Sequence, residues 1–109
     1  AAIVYGAGAV GLSAVMAAAL SPVAQIVVVD IVPSRLALAK ELGATLVLNP
    51  ETDDVAAAID RLTGSRGADA AIDATGVASV LEGAAAVVRP SGVVISIGAP
   101  APGTTVALD

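Results

Sequence analysis

The chain has 109 residues, enough for one domain's core and short for a complete enzyme of most classes. Its residues are 57% hydrophobic, mostly Val, Leu, Ile and Ala with Tyr5 the only aromatic, a composition that suits buried parallel strands covered by small-residue helices. The lack of Cys and His excludes disulfides, thiolate and imidazole chemistry and the commonest zinc ligands, while a net charge of −5 with five scattered basic residues argues against a nucleic-acid partner.

Short apolar runs alternate with helix-length segments, the pattern of a doubly wound α/β fold with a parallel sheet of five strands and helices on both faces. Ile3 to Tyr5 reads as a first strand and Gly11 to Leu20 as a helix ended by Ser21-Pro22. Residues 1–29 carry no charged side chain, but Gly6, Gly8, Gly11, Pro22 and Gln25 argue against a membrane helix, and the missing initiator Met and basic n-region argue against reading this stretch as a signal peptide. The chain opens inside a strand, so it is expected to be a piece of something longer. Ile26 to Asp30 is β-branched without polar alternation, as in a strand buried on both faces. Pro33 fits the first turn of a second helix, with Gly43 as its C-cap.

Thr45 to Leu48 forms a third strand closed by Asn49-Pro50. Thr52 offers a side-chain cap for a third helix, Asp53 and Asp54 suit its positive dipole end, and Val55, Ala56, Ile59 and Leu62 keep one face apolar before Gly64 ends it. Asp69 to Asp73 reads as strand four and Val77 to Val88 as a helix. Val93 to Ile97 reads as strand five after a Pro90-Ser91-Gly92 turn. Thr104 to Leu108 is β-prone at the terminus. No linker or interior domain boundary interrupts the pattern, so residues 1–109 read as one domain.

Gly6, Gly8 and Gly11 are spaced G-x-G-x-x-G between the first strand and the first helix. In a dinucleotide fold the first glycine allows a tight turn, the second lets a pyrophosphate approach the backbone, and the third lets helix and strand pack closely. Amides around Gly8, Ala9 and Val10 would then bind the pyrophosphate without a basic residue. The motif alone is weak in a glycine-rich chain, where a plain turn is the simpler reading. Context narrows it: the second strand ends in Asp30, 19 residues after Gly11, near the expected spacing of about 20. A carboxylate there accepts hydrogen bonds from the adenosine ribose and repels a 2′-phosphate, which favours NAD over NADP.

Other charged residues are more ambiguous. Arg35, one turn into the second helix, either reaches the ribose or phosphate or lies on a solvated face with Lys40 and Glu41. Asp73 before "ATG" is a turn former or a cleft-lining group. Asp53 and Asp54 decorate a helix start.

The stretches "VYGAGAVGLSAVMAAA", "VVVDIVPSRLALAKELGAT", "NP", "DATGVASVLEGA" and "ISIGAPAPGTTVALD" resemble, in collinear order, the coenzyme domain of zinc-containing medium-chain alcohol dehydrogenases, most nearly the aryl (benzyl) branch. The resemblance implies a Rossmann fold in which Gly6, Gly8, Ala9, Val10 and Gly11 form the pyrophosphate loop. It assigns Asp30, Ile31 and Arg35 to the adenosine ribose and adenine, and Ala74, Thr75 and Val77 to the segment flanking them. Ile97, Gly98 and Ala99 match the backbone facing the nicotinamide. By the same resemblance the parent is a cytoplasmic enzyme that moves a hydride between NAD and a primary, aromatic alcohol or aldehyde at a zinc held by another domain. None of that domain is in these residues, so the chain by itself is expected to have no catalytic or metal-binding residue and no turnover. The family's sixth strand is absent too, which leaves the Val93 to Ile97 strand as an uncovered edge. A homo-oligomer through that edge or through Thr104 to Leu108 is the expectation.

Two readings from other classes stand beside this one. A non-catalytic NAD-sensing regulatory module would use the same glycines and Asp30 as a binding switch. An S-adenosylmethionine-dependent methyltransferase also places an acid after strand two, but its glycine loop usually follows an acidic residue, which Val4 and Tyr5 do not supply.

Overall fold

Ala2–Tyr5 forms β1, the central strand, with all four residues buried. It is flanked on one side by β2 (Ile26–Val29) and on the other by β4 (Ala68–Asp73). The remaining strands are β3 (Leu46–Leu48) and β5 (Val88–Ser96), and all five pair in parallel in the order β3-β2-β1-β4-β5. The computed structural model describes residues 1–97, so Gly98, Ala99 and Thr104 to Leu108 lie outside the described residues.

Parallel strands need crossovers, and four helices supply them: α1 (Ala9–Ala19), α2 (Pro33–Leu42), α3 (Val55–Leu62) and α4 (Ala78–Val87). Alternation along the strands sends their side chains to two cores. Ile3, Tyr5, Val27 and Val29 pack with Ile59 of α3 and Ala84 of α4. Val4, Ile26 and Val28 face the other way, onto Val15 of α1 and Leu36 and Ala39 of α2. Burial on both faces accounts for strands that are apolar without alternation.

Small residues set how closely these layers approach. A Cβ on Gly43, the C-cap of α2 at φ 130°, would lie 2.7 Å from the Ala19 Cβ, so glycine serves here both the backbone turn and the contact with α1.

Three local expectations need correction. The α3 cap is Asp54, not Thr52: its Oδ1 accepts from Ala57 N at 3.0 Å. Thr52 is taken up by the preceding turn, its hydroxyl donating to the Asn49 carbonyl at 3.3 Å, and Asp53 accepts from Asn49 N at 2.8 Å. Helices α1 and α4 span Ala9–Ala19 and Ala78–Val87, with Val77 and Val88 as the α4 caps. The Pro90-Ser91-Gly92 segment does not precede β5 but sits inside it. Its pairing with β4 jumps from Ala68↔Val88 to Ala70↔Val93, and the surplus residues form a bulge with Ser91 at φ 65°. An Arg89 Nε–Asp69 Oδ1 contact of 2.7 Å pins the two strands beside it. Among the described residues no helix is long and apolar enough to cross a membrane.

Candidate functional site

Chain order and sheet order diverge at one place. After β1 the chain steps outward to β2 and β3, then returns to place β4 on the other flank of β1. The loops leaving β1 and β4 therefore part company above the C-terminal ends of the strands, which opens a crevice of the kind where α/β sheets bind ligands. Tyr5, the last residue of β1, sits level with both Val29 and Asp73.

The glycine turn forms one wall. Gly6 N donates to Val29 O at 2.8 Å, and its φ of 96° bends the chain away from the sheet. Gly8 is the N-cap of α1, and Leu12 N donates back to its carbonyl at 2.9 Å. The amides of Ala9, Val10 and Gly11 fall in the first turn of α1, where they have no acceptor within the helix. A Cβ on Gly8 would meet no atom within 4 Å, so the backbone there is open to a close-approaching group.

Asp30 forms the second wall. It is 9% exposed, and both carboxylate oxygens are engaged: Oδ2 accepts from Ala7 N at 2.7 Å and Oδ1 from Val32 N at 2.8 Å. Arg35 follows on the exposed side of α2, and among the described residues its guanidinium has no hydrogen-bonding or ionic partner. The third wall is the β4–α4 turn. Asp73 is 1% exposed and its Oδ1 accepts from Thr75 N at 2.8 Å and from the Thr75 hydroxyl at 2.6 Å. Val77 N in turn donates to Thr75 Oγ1 at 3.1 Å. Asp73 is therefore the turn former and not a lining group.

Together these walls enclose a cleft of about 440 Å³ lined by Gly6, Gly8, Asp30, Ile31, Arg35, Ala74, Thr75 and Val77. The other anticipated residues sit around it. Ala9 and Val10 are exposed beside it at the start of α1, and Gly11 is buried beneath. Ile97 is exposed just past β5, its amide donating to Asp73 O at 2.8 Å, and Gly98 and Ala99 lie outside the described residues. Four lining residues were not anticipated: Tyr5, Val29, Pro50 and Val80. Tyr5 and Val29 close their strands, a position that faces the crevice in any doubly wound sheet and was a usable signal. Tyr5 is packed in the core, and burial pushes its phenol up to about 12. Among the described residues its hydroxyl has no hydrogen-bond partner.

A second cleft, also about 440 Å³, opens near the N-terminal ends of β4 and β5 against Ala56, Asp60, Arg66 and Val87. Gly67 at φ 91° and the start of α3 line it too, but the Asp54 side chain caps that helix, whereas no side chain caps α1 at Gly8, so size does not distinguish the two and the uncapped helix start does. For a metal the residues do not fit. Neither Cys nor His occurs in the chain, and among the described residues no group of three or more His, Cys, Asp or Glu side chains could hold an ion. For a dinucleotide they do fit: an open backbone at Gly8, unpaired amides and a fixed carboxylate share one cleft.

Comparison with known proteins agrees with this geometry. A family model described as zinc-binding dehydrogenase matches residues 9–109. The geraniol dehydrogenase of Castellaniella defragrans is 41% identical over 100 residues, covering 91% of this chain and 26% of the relative. The crystal structure of benzyl alcohol dehydrogenase from Acinetobacter calcoaceticus superposes with a TM-score of 0.95 at 43% identity, over 100% of this chain and 30% of that one. A zinc-binding dehydrogenase from Sinorhizobium meliloti, bound to NADP, superposes with a TM-score of 0.92 at 26% identity, over 99% of this chain and 32% of that one. The chain thus spans about a third or less of the length of these proteins. With the family model covering all but the first eight residues and the five-stranded sheet reproducing the fold of those dehydrogenases, this chain belongs to the zinc-binding dehydrogenase family.

Proposed function

We propose that the chain is the NAD-binding domain of an alcohol dehydrogenase. In this reading it holds the dinucleotide while a hydride passes between the nicotinamide and a primary, aromatic alcohol or aldehyde, and zinc and substrate are held by polypeptide beyond these residues. NAD supplies the hydride chemistry when bound, and the chain's own residues bind and orient it. The backbone around Gly8 and the first-turn amides of α1 hold the diphosphate. Asp30 accepts from the ribose hydroxyls, and Arg35 shields the outer side. Tyr5, Val29, Ile31, Pro50 and Val77 offer the apolar surface an adenine ring needs. Ile97 and the adjoining Gly98 and Ala99 provide backbone toward the nicotinamide.

The single observation that carries this reading is Asp30, fixed through both oxygens in a cleft that the open Gly8 backbone also lines. Calorimetric titration with NAD, NADP and adenosine diphosphate ribose tests it. NAD is expected to bind more tightly than NADP, with adenosine diphosphate ribose retaining most of the affinity. Equal binding of NAD and NADP would overturn the NAD assignment. The parent is proposed to work in the cytoplasm as a dimer, and the chain by itself to associate through the β5 edge or through Thr104 to Leu108.

A further inference from the structure

Asp30 reaches across the chain as well as into the cleft. The amide bound to its Oδ2 belongs to Ala7, between Gly6 and Gly8 and 23 residues away in sequence. The amide bound to its Oδ1 belongs to Val32, the N-cap of α2. Ala7 is 1% exposed, so its N–H has no water to turn to if the carboxylate is lost. The turn it sits in is flanked by two glycines, whose backbones are the least restrained by local sterics.

We infer that Asp30 is a positioning residue for the phosphate cradle: its carboxylate clamps the glycine turn to the β2–α2 turn, so that the amides at the start of α1 are aimed before any ligand arrives. This rests on the dinucleotide reading above and adds to it a task that the ribose does not share. Two charge-assisted hydrogen bonds from one carboxylate form the clamp, and only a group with two acceptor oxygens satisfies both donors. An amide at this position would offer one oxygen and set an NH2 group against the other N–H. Asp30→Asn therefore keeps the shape and breaks the clamp.

Two measurements on the full chain decide the matter. The first is amide hydrogen exchange by NMR without ligand. In Asp30→Asn the Ala7 amide is expected to exchange at least about tenfold faster, while Val4 and Val28 in the sheet stay protected. Unchanged Ala7 exchange would overturn the clamp. The second is binding of an NAD analogue lacking both hydroxyls of the adenosine ribose. If Asp30 acts through the ribose alone, the unaltered chain and Asp30→Asn bind the analogue equally, which would also overturn the clamp. The clamp predicts binding weaker by about tenfold in the variant. Should the unaltered chain bind neither NAD nor the analogue, the functional reading fails while the exchange measurement still decides the clamp. If Asp30→Asn does not fold, Asp30→Ser, whose single hydroxyl cannot bridge both amides, gives the same exchange readout.

Discussion

Gly11 and Gly6 meet backbone to backbone: a Cβ on Gly11 would overlap the Gly6 carbonyl oxygen and lie 2.7 Å from its carbonyl carbon. The third glycine of the motif is thus a packing residue. Helix α1 can rest against the end of β1 only if nothing projects there, and backbone cannot step aside as a flexible side chain can. Gly11→Ala is expected to destabilise the chain by about 1–3 kcal/mol, the range for forcing a methyl into a filled site. Urea unfolding measures this, and an unchanged midpoint would contradict the close approach.

Gly8 behaves in the opposite way. Its φ of −78° is ordinary for any L residue, and an added Cβ meets nothing within 4 Å. Gly8→Ala is expected to leave stability within about 0.5 kcal/mol of the unaltered chain. The methyl would occupy the space through which a diphosphate reaches the backbone, and one charge-assisted hydrogen bond lost weakens NAD by roughly tenfold. Thermal unfolding and calorimetry together check the pair. A Gly8→Ala chain that binds NAD normally would remove the glycine turn from the site.

Much of this contrast was legible in the residues because it is local. A β-branched run, three glycines at fixed spacing and an acid closing the next run are each read from a few neighbours, and parallel crossovers leave few ways to assemble them. What was not legible depended on competition or on distance. Thr52 and Asp54 are both good caps, and the choice fell to Asp54 because the Asn49-Pro50 turn had already engaged Thr52 and Asp53. Pro90-Ser91-Gly92 reads as a turn, yet pairing with β4 on both sides holds it inside β5 as a bulge. The double engagement of Asp30 joins residues 23 positions apart and has no signature in spacing, because the same aspartate suits a ribose contact alone.

Tyr5 reports on the site without a label, since the chain contains no other aromatic residue. Its phenol is raised by burial from 10.0 to about 12 in the folded chain. The folded value lies above the unfolded one, so the stability it contributes is fully present below pH about 10. That stability is lost as pH rises toward about 12, with a slope no steeper than about 1.4 kcal/mol per pH unit. Tyr5→Phe is expected to flatten that decline, and phenolate absorbance of the native chain is expected to titrate late. Because Tyr5 lines the cleft, NAD is also expected to alter its fluorescence. Titration at the ordinary phenol value would place the ring in solvent.

Asp30→Ala separates selectivity from loop order. Losing the clamp weakens every dinucleotide alike, so it does not alter the ratio between NAD and NADP. Removing the charge relieves only NADP, whose 2′-phosphate meets a repulsion on the order of 4 kcal/mol per charge pair at about 4 Å and an effective dielectric near 20. NAD affinity is therefore expected to fall, and the gap to NADP to narrow, in parallel calorimetric titrations. An unchanged ratio would mean that the carboxylate does not face the ribose.

The last strand of the sheet order, β5, and the residue that follows it expose Val93, Ile95 and Ile97 on alternate positions, at 54%, 46% and 50%. Among the described residues no strand pairs with its outer edge, which puts a sheet edge beside a row of apolar side chains, the arrangement that invites strand-to-strand association. We expect the chain to self-associate with rising concentration through this edge. Ile95→Lys places a charge in the middle of the row and away from the cleft, so it should shift sedimentation toward monomer and leave NAD titration unchanged. Purely monomeric sedimentation of the unaltered chain at high concentration would exclude the edge as a contact. Association that persists in Ile95→Lys would move the contact elsewhere on the surface.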